Sequence, residues 1–505
     1  MTPISQSPSA VPATDSGVDH GTRVAVVFGA TGYIGSHLVP RLLREGYAVR
    51  ASGRDRKVLD ARDWSGVESV EADALIPESL QAALAGADTA YYLVHSMAAG
   101  QDFGRLDVEA ADNFAAAAHQ AGVRRIVYLG GLVPDDADSE HLVSRRETGE
   151  RLRAGPVPVT EIRAGIVVGP GSAAYEVVRD LVNHLPLMVT PQWVRSKSSP
   201  IALENLLEYL VRVASLEEAA GKVLDAAGPD YLSYEEVMRQ YGEVVGKRPR
   251  ILRVPVLTPE LSARWLGLIT SVPTNIARAL IGGLKHDLPA DDAELRRLVP
   301  QQLMSFRESV VAALQAERSQ TVTARWSEGH LMFRGFQLDN SFYAKRASGS
   351  AVGPASPSAV WHAVATIGGG NGYYSMGWLW WLRSLMDWLV GGPGLTRGRR
   401  HPTEVRLGDG IDYWTVLALE PRRRLTLNFG MRAPGAGVLE FEVDPENEAA
   451  HHRRTRLTIT AYWHPQGVWG LLYWYALAPA HLFIFRRMSR AMLRRAEQLD
   501  ADSRV

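Results

Sequence analysis

Three glycines, spaced Gly29-Ala-Thr-Gly32-Tyr-Ile-Gly35, carry the clearest chemical signal in the chain. Gly29 permits a tight turn, Gly32 lets backbone approach a pyrophosphate, and Gly35 allows a helix to pack closely on a strand. Thr31, Tyr33 and Ile34 complete this nucleotide loop, because the N-terminus of the following helix faces the phosphates. Further on, Ala51-Ser52-Gly53-Arg54-Asp55 presents a hydroxyl and a guanidinium before any carboxylate. Arg54 suits the 2′-phosphate of NADP(H) through charge-assisted bonds, which makes NADP(H) the favoured cofactor. The alternative is a solvated Arg54, with Asp55 on the ribose of NAD(H). Candidates for proton transfer are more scattered. His141 and Ser144 lie in "HLVSRRETGE", where a histidine can act as acid or base near neutral pH. The competing reading of His141 is a solvated loop residue after "DDADSE". Tyr92, His95 and Ser96 end the stretch "ADTAYYLVHSM" and are alternative donors. One of Tyr91 and Tyr92 must point inward, since strand side chains alternate.

The elements that must position these residues follow in order. "VAVVF" is a short apolar run of the kind buried on both faces of a parallel sheet. "SHLVPRLLREG" has a helical pattern, and "YAVRASG" reads as the second strand. A third strand precedes Asp73, "ADTAYYLVHSM" contains the fourth, "RRIVYLGGL" the fifth and "VTEIRA" the sixth. Strands alternating with helices predict an α/β fold with a doubly wound parallel Rossmann sheet, whose ligands bind at the carboxyl edge.

With its GxxGxxG spacing, "GATGYIG" resembles the extended and atypical short-chain dehydrogenases/reductases, and the resemblance covers about the first 300 residues. It implies an NAD(P)-binding domain with a substrate cap built from "SSPIALENLLEYLVRVAS" and "DYLSYEEVMRQYGEVVGKRPRILRVPV". It also implies that Asp73 holds the adenine, although an ordinary helix N-cap remains the alternative. His95 is placed among the cofactor residues, and backbone near Arg163–Ile166 would meet the nicotinamide. In that superfamily a tyrosine transfers the substrate proton, a lysine four residues later tunes it, and a serine orients the carbonyl. Here the resemblance puts His141 in the tyrosine position, Arg145 in the lysine position and Gly130 or Gly131 in the serine position. Arg145 can hold a ribose or phosphate but cannot tune an acid as lysine does. The expectation is cofactor binding without the standard reductase machinery.

Composition changes after the polar stretch "QAERSQTVTARWSEGHLMFRGFQLDN". The expected organisation is a disordered leader at 1–21, the nucleotide domain at 22–320, a linker at 321–338 and a second domain at 339–500. Alternating stretches such as "RRLTLNFGMRA" and "TRLTITAYWHP" predict an antiparallel sheet, and "GVWGLLYWYALAPAHLFIFRRMSRAMLRRAEQL" ends in a long helical pattern. This suggests an α+β helix-grip domain of START-like type around an apolar pocket. "VWHAVATIGGGNGYY", "GGPGLTRGRR", "GDGIDYW" and "YWYALAPAHLFIF" resemble the bacterial family DUF2867, which supplies an architecture but no reaction. Nine of the 13 tryptophans fall in this half, a density that favours a cavity or a membrane-facing rim as readily as core packing. Arg383 and Asp387 lie four apart and are expected to pair on a helix. The basic run Arg397–Arg400 is either an anion site or a solvated turn. Val468–Phe485 contains no charged residue, but Pro479 and His481 interrupt it, so a buried strand-turn-helix is expected rather than a span.

Lys plus Arg and Asp plus Glu are both 55, which removes a global electrostatic case for nucleic acid. The absence of cysteine excludes thiolate catalysis and cysteine metal sites. No metal site is expected, the pair His451-His452 being the nearest to one. The functional expectation is an oxidoreductase acting on a hydrophobic carbonyl, enone or quinone-like molecule. The alternatives are a non-catalytic NADP(H)-binding sensor or assembly protein, or a lipid- or quinone-binding protein acting through the second domain. The expected setting is cytoplasmic, with peripheral membrane contact as an alternative, and the sequence assigns no oligomeric state.

Overall fold

The computed structural model describes residues 23–60, 62, 64–95, 103–134, 136–137, 139–254, 285–319, 345–389, 398–399, 401–446 and 454–502. The expected leader and linker, Ser96, Gly391–Arg397, Arg400 and His451-His452 lie outside these residues.

The apolar run near the start forms β1 (Val24–Phe28), and the glycine loop leads into α1 (Tyr33–Arg44). The next elements are β2 (Ala48–Gly53), α2 (Arg56–Asp60), β3 (Glu68–Glu71), α3 (Pro77–Leu84) and β4 (Thr89–Tyr92). They are followed by α4 (Phe103–Gln120), β5 (Arg125–Gly131), α5 (Glu140–Ala154) and β6 (Val159–Ala164). With the strand Val223–Ala226 they make a seven-stranded sheet, in the order β3-β2-β1-β4-β5-β6 and then Val223–Ala226. Every pairing is parallel. Alternate residues of β1 explain the layering. Ala25 and Val27 join Leu38 and Leu42 of α1 and Leu206 and Leu210 of the helix Leu203–Val213. Val26 and Phe28 join Leu80 of α3 and Ala111 and Phe114 of α4. Strand order reverses between β1 and β4, which is where such sheets open a crevice for ligand.

A lobe follows the sheet, formed by the helices Ala173–His184, Tyr234–Val244 and Phe306–Arg318 around Tyr175, Met188, Tyr241 and Val310. The second and third of these helices begin with complete capping boxes, at Ser233 with Glu236 and Ser305 with Glu308. Of the two segments expected to build a substrate cap, "DYLSYEEVMRQYGEVVGKRPRILRVPV" contributes the helix Tyr234–Val244 to this lobe, whereas "SSPIALENLLEYLVRVAS" forms the helix Leu203–Val213 and packs on the parallel sheet instead.

The second sheet has six antiparallel strands, ordered Lys345–Gly353, Arg454–Pro465, Gly435–Glu446, Arg424–Phe429, Trp414–Glu420 and Gly410–Ile411. The C-terminal helix Gly467–Asp502 packs on it, burying Phe485, Met488, Met492 and Ala496 with Leu457 and Ile459 of the sheet. At Gly349 a β-carbon would lie 2.4 Å from the Arg486 nitrogen, so this helix and the first strand touch backbone to backbone. Among the described residues no single helix is long and apolar enough to cross a membrane. The two parts of the C-terminal helix, Gly467–His481 and Phe483–Asp502, meet such a length and composition test only together, and they are bent by 45°. Pro479, which lacks an N–H, lies just before that bend.

Candidate active site

Geometry at the glycine loop explains each glycine separately. Gly29 has φ +93°, and a β-carbon there would stand 3.1 Å from the backbone of Leu93, just past β4. A β-carbon on Gly35 would lie 2.3 Å from the Gly29 oxygen and 2.7 Å from Ala30 Cα, which leaves room only for hydrogen. Gly32 is the N-cap of α1; no side chain bonds there and no acidic residue occupies the first turn. The first N–H groups of a helix need acceptors, and here the loop leaves them to an anion. Ser52 Oγ, at the carboxyl end of β2, is fully buried and without a hydrogen-bond partner. These observations fit a dinucleotide: a pyrophosphate on the helix start and a ribose toward the end of β2.

At that end Arg54 is exposed. The structure adds Arg62, whose Nη2 donates to the Thr31 carbonyl at 3.1 Å, within the loop itself. Only its place after α2, far from any motif, hid it from sequence reasoning. Asp73 is held in a local turn: Oδ1 accepts the Leu75 N–H at 3.0 Å, and its backbone N–H donates to Ser79 Oγ. The N-cap of α3 is Ile76, so Asp73 closes the turn ahead of the helix instead of capping it.

The proton-transfer candidates do converge. His95 Nδ1 lies 2.7 Å from Asp107 Oδ2, and His95 Nε2 lies 3.0 Å from His141 Nδ1. Ser144 Oγ donates to the same Asp107 oxygen at 2.9 Å. His141 is not a solvated loop residue. Ser139 caps α5, accepting the Leu142 N–H, and this starts the helix early enough to carry His141 in its first turn. Burial, the neighbouring His95 and Arg145 push the His141 imidazole down to about 3. Burial also lowers His95, against the opposing bond to Asp107. Both rings are therefore neutral at neutral pH. If Asp107 accepts the Nδ1 proton of His95, His95 Nε2 must accept the Nδ1 proton of His141. His141 Nε2 is then left with a lone pair, and it has no partner among the described residues.

Arg145 follows His141 by one turn. Its Nη2 donates to the Leu129 carbonyl at 2.5 Å and its guanidinium covers the Tyr128 ring at 5.6 Å. Tyr128 Oη donates to the Arg145 carbonyl. A β-carbon on Gly131 would approach the Arg145 side chain, and one on Gly130 would strike Glu161 Oε1 at 2.8 Å. The place the resemblance gives to a serine is thus taken up by arginine and carboxylate. Tyr92 goes elsewhere: its ring packs in the core with Phe28, Phe114 and Tyr128, and burial raises its phenol far above the usual range. It holds its proton and is not brought into the cluster. Asp107, the residue that joins three of the candidates, was missed. Asp107 is one of three acidic residues in "GRLDVEAADNF", the helix that follows the fourth strand, and nothing local singles it out.

Comparison with known proteins accounts for both halves. Residues 29–156 match the family described as NAD(P)H-binding, and residues 338–488 match the family described as "Protein of unknown function (DUF2867)". The chain thus joins an NAD(P)H-binding Rossmann domain to a DUF2867 domain. It is 26% identical over 237 residues to the ceramide reductase of Caulobacter vibrioides, covering 46% of this chain and 74% of that protein. It is 24% identical over 242 residues to the NADH-ubiquinone oxidoreductase 40 kDa subunit of Neurospora crassa, covering 46% of this chain and 64% of that one. Among solved structures, the triphenylmethane reductase of Citrobacter sp. is 22% identical with a TM-score of 0.49, covering 58% of this chain and 99% of that one.

Proposed function

We propose that the first domain is an NADPH-dependent reductase of an apolar carbonyl, enone or quinone-like molecule, with His141 as its proton-transferring residue. The observation that carries this reading is the Asp107–His95–His141 chain, which aligns one buried carboxylate behind two imidazoles at the carboxyl edge of the sheet. The nicotinamide, when bound, supplies the hydride. His141 Nε2 accepts a proton in the alcohol-to-carbonyl direction and returns it in the other. Asp107 supports the transient positive charge through His95, as a carboxylate behind an imidazole does in other enzymes. Ser144 holds Asp107 in place. Arg145, fixed to Leu129, takes the cofactor-holding role of the family lysine without its acid-tuning role. Arg54 and Arg62 at the loop edge favour the extra phosphate of NADPH over NADH.

A second reading, nucleotide binding without turnover, draws support from the low His141 value, since a neutral imidazole carries no proton to donate. The two separate in one experiment. Purified protein is mixed with NADPH or NADH and a panel of quinones, enones and long-chain ketones, and nucleotide oxidation is followed by absorbance. Turnover that His141→Phe abolishes while NADPH still binds supports the reductase. Tight NADPH binding with no oxidation across the panel removes it in favour of the second reading.

A further inference from the structure

The second domain contains a cavity of about 150 Å³, a size that accommodates a single six-membered ring. Its walls are almost entirely apolar. The helix Gly377–Leu389 turns Leu379, Trp380 and Arg383 toward it, and the C-terminal helix contributes Trp474, Leu477 and His481. Arg383 stands over two rings, 5.2 Å from the Phe429 centroid and 5.6 Å from that of Tyr473. Its expected partner Asp387 is engaged elsewhere: Oδ1 accepts the backbone N–H of Arg432. Arg383 Nη2, Trp380 Nε1 and His481 Nδ1 are buried with no hydrogen-bond partner. Burial holds the His481 ring at about 4, so it is neutral near pH 7. Buried donors left unpaired are rare and costly. Two unpaired donors and an imidazole nitrogen on one apolar wall, one of them on a cation, call for a ligand with an acceptor oxygen.

The outer faces of the same two helices are also apolar. On the first, Trp378, Trp381, Met386, Trp388 and Leu389 are each more than half exposed; on the second, Trp469, Leu472 and Phe483 are. A patch of this kind marks an interaction surface. What covers it is indicated by the charge that follows. Arg486, Arg487, Arg490, Arg494 and Arg495 are exposed along the next turns of the C-terminal helix. Apolar and aromatic side chains followed by a row of arginines match the boundary between acyl chains and anionic headgroups.

We propose that these two helices lie in the surface of an anionic bilayer. The cavity they wall receives from it the end of an apolar amphiphile, a ring or short chain segment whose carbonyl or carboxylate oxygen pairs with Arg383. This is independent of whether the first domain turns over a substrate, because neither readout below uses nucleotide oxidation.

The full chain is floated with phosphatidylcholine vesicles, with and without phosphatidylglycerol. Binding is expected only with phosphatidylglycerol, and is lost in the joint variant Trp378→Ser, Trp469→Ser, Phe483→Ser. In vesicle-free buffer a decyl-substituted benzoquinone and decanoate are titrated separately by calorimetry, so that the two probes distinguish a carbonyl from a carboxylate ligand. At least one is expected to bind, about tenfold more weakly to Arg383→Leu and with nearly full affinity to Arg383→Lys and to the joint variant. Failure of both probes, equal affinity for wild type and Arg383→Leu, or no flotation with phosphatidylglycerol overturns the proposal. So does a wild-type dimer that the joint variant converts to monomer, which would give the apolar face to a second copy of the chain.

Discussion

The histidine cluster of the first domain and the cavity of the second each place polar atoms in a buried setting, but they satisfy them oppositely. His95, Asp107 and Ser144 bond to one another, and His141 completes the row. Arg383, Trp380 and His481 face an apolar space with donors left over. A satisfied network is set in geometry before any substrate arrives, which is what proton transfer requires. An unsatisfied set gains its bonds only when a ligand supplies them. The contrast separates a place built to do chemistry from a place built to hold something.

The largest expected effect lies at the loop that feeds the first site. Gly35→Val puts side-chain atoms where even a β-carbon meets the Gly29 oxygen at 2.3 Å. It should abolish NADPH binding by calorimetry and destabilise the first domain by about 1–3 kcal/mol. Unchanged nucleotide affinity would detach the loop from the cofactor. Next, His141→Phe should lower the rate of carbonyl reduction by about 10²–10⁴-fold while leaving NADPH affinity intact. Asp107→Asn should act in the same direction, because it removes the charge behind His95. A normal rate in both variants would reduce the cluster to packing and erase its difference from the cavity.

The sequence carried some of this more plainly than the rest, and the reason is range. The glycine loop, the parallel sheet and the antiparallel second sheet are written in local patterns, each readable within a dozen or so neighbours. The cluster is not local. His95, Asp107 and His141 come from the end of β4, the first turns of α4 and the start of α5, and only the strand order β1-β4-β5 brings them together. His141 looked solvated because "DDADSE" precedes it, yet the Ser139 cap folds it into a helix. Arg383 and Asp387 show the reverse failure. Their spacing is right for a helical pair, but Phe429 of the sheet and Tyr473 of the C-terminal helix offer Arg383 two aromatic faces, and Arg432, between two strands, offers Asp387 a backbone N–H. The tryptophans left two readings open, and the structure divides them: Trp414 and Trp463 line the cavity with Trp380 and Trp474, whereas Trp378, Trp381, Trp388 and Trp469 face outward.

A smaller effect tests cofactor choice. Arg54→Ala combined with Arg62→Ala should weaken NADPH about tenfold, the scale of one lost charge-assisted contact, and leave NADH nearly unchanged. Equal losses for both nucleotides would mean that the arginines shape the loop instead of reading the phosphate. The comparison is to be made by calorimetry with each nucleotide on the same preparation.

The smallest effect bears on both sites at once. His141 and His481 are each held below the ordinary histidine range by burial, to about 3 and about 4. At neutral pH each is uncharged whether the chain is folded or unfolded, so neither makes stability depend on pH. Below about 6.5 the unfolded chain takes up a proton that the folded protein refuses. Stability should therefore fall as pH drops from about 6.5 toward these lowered values. The slope corresponds to about one proton for each group. His141→Phe and His481→Phe should each flatten the decline of melting temperature between neutral and mildly acid solution. The two differ in what a ligand does. An acceptor oxygen in the cavity that takes a bond from a protonated His481 would raise its pKa and oppose the acid loss, so decanoate, where it is the probe that binds, should protect the wild type more than His481→Phe as pH falls. At His141 the bond to His95 is already made, and decanoate should leave that part of the slope untouched. Equal protection of the wild type and His481→Phe would leave His481 without a part in holding the probe.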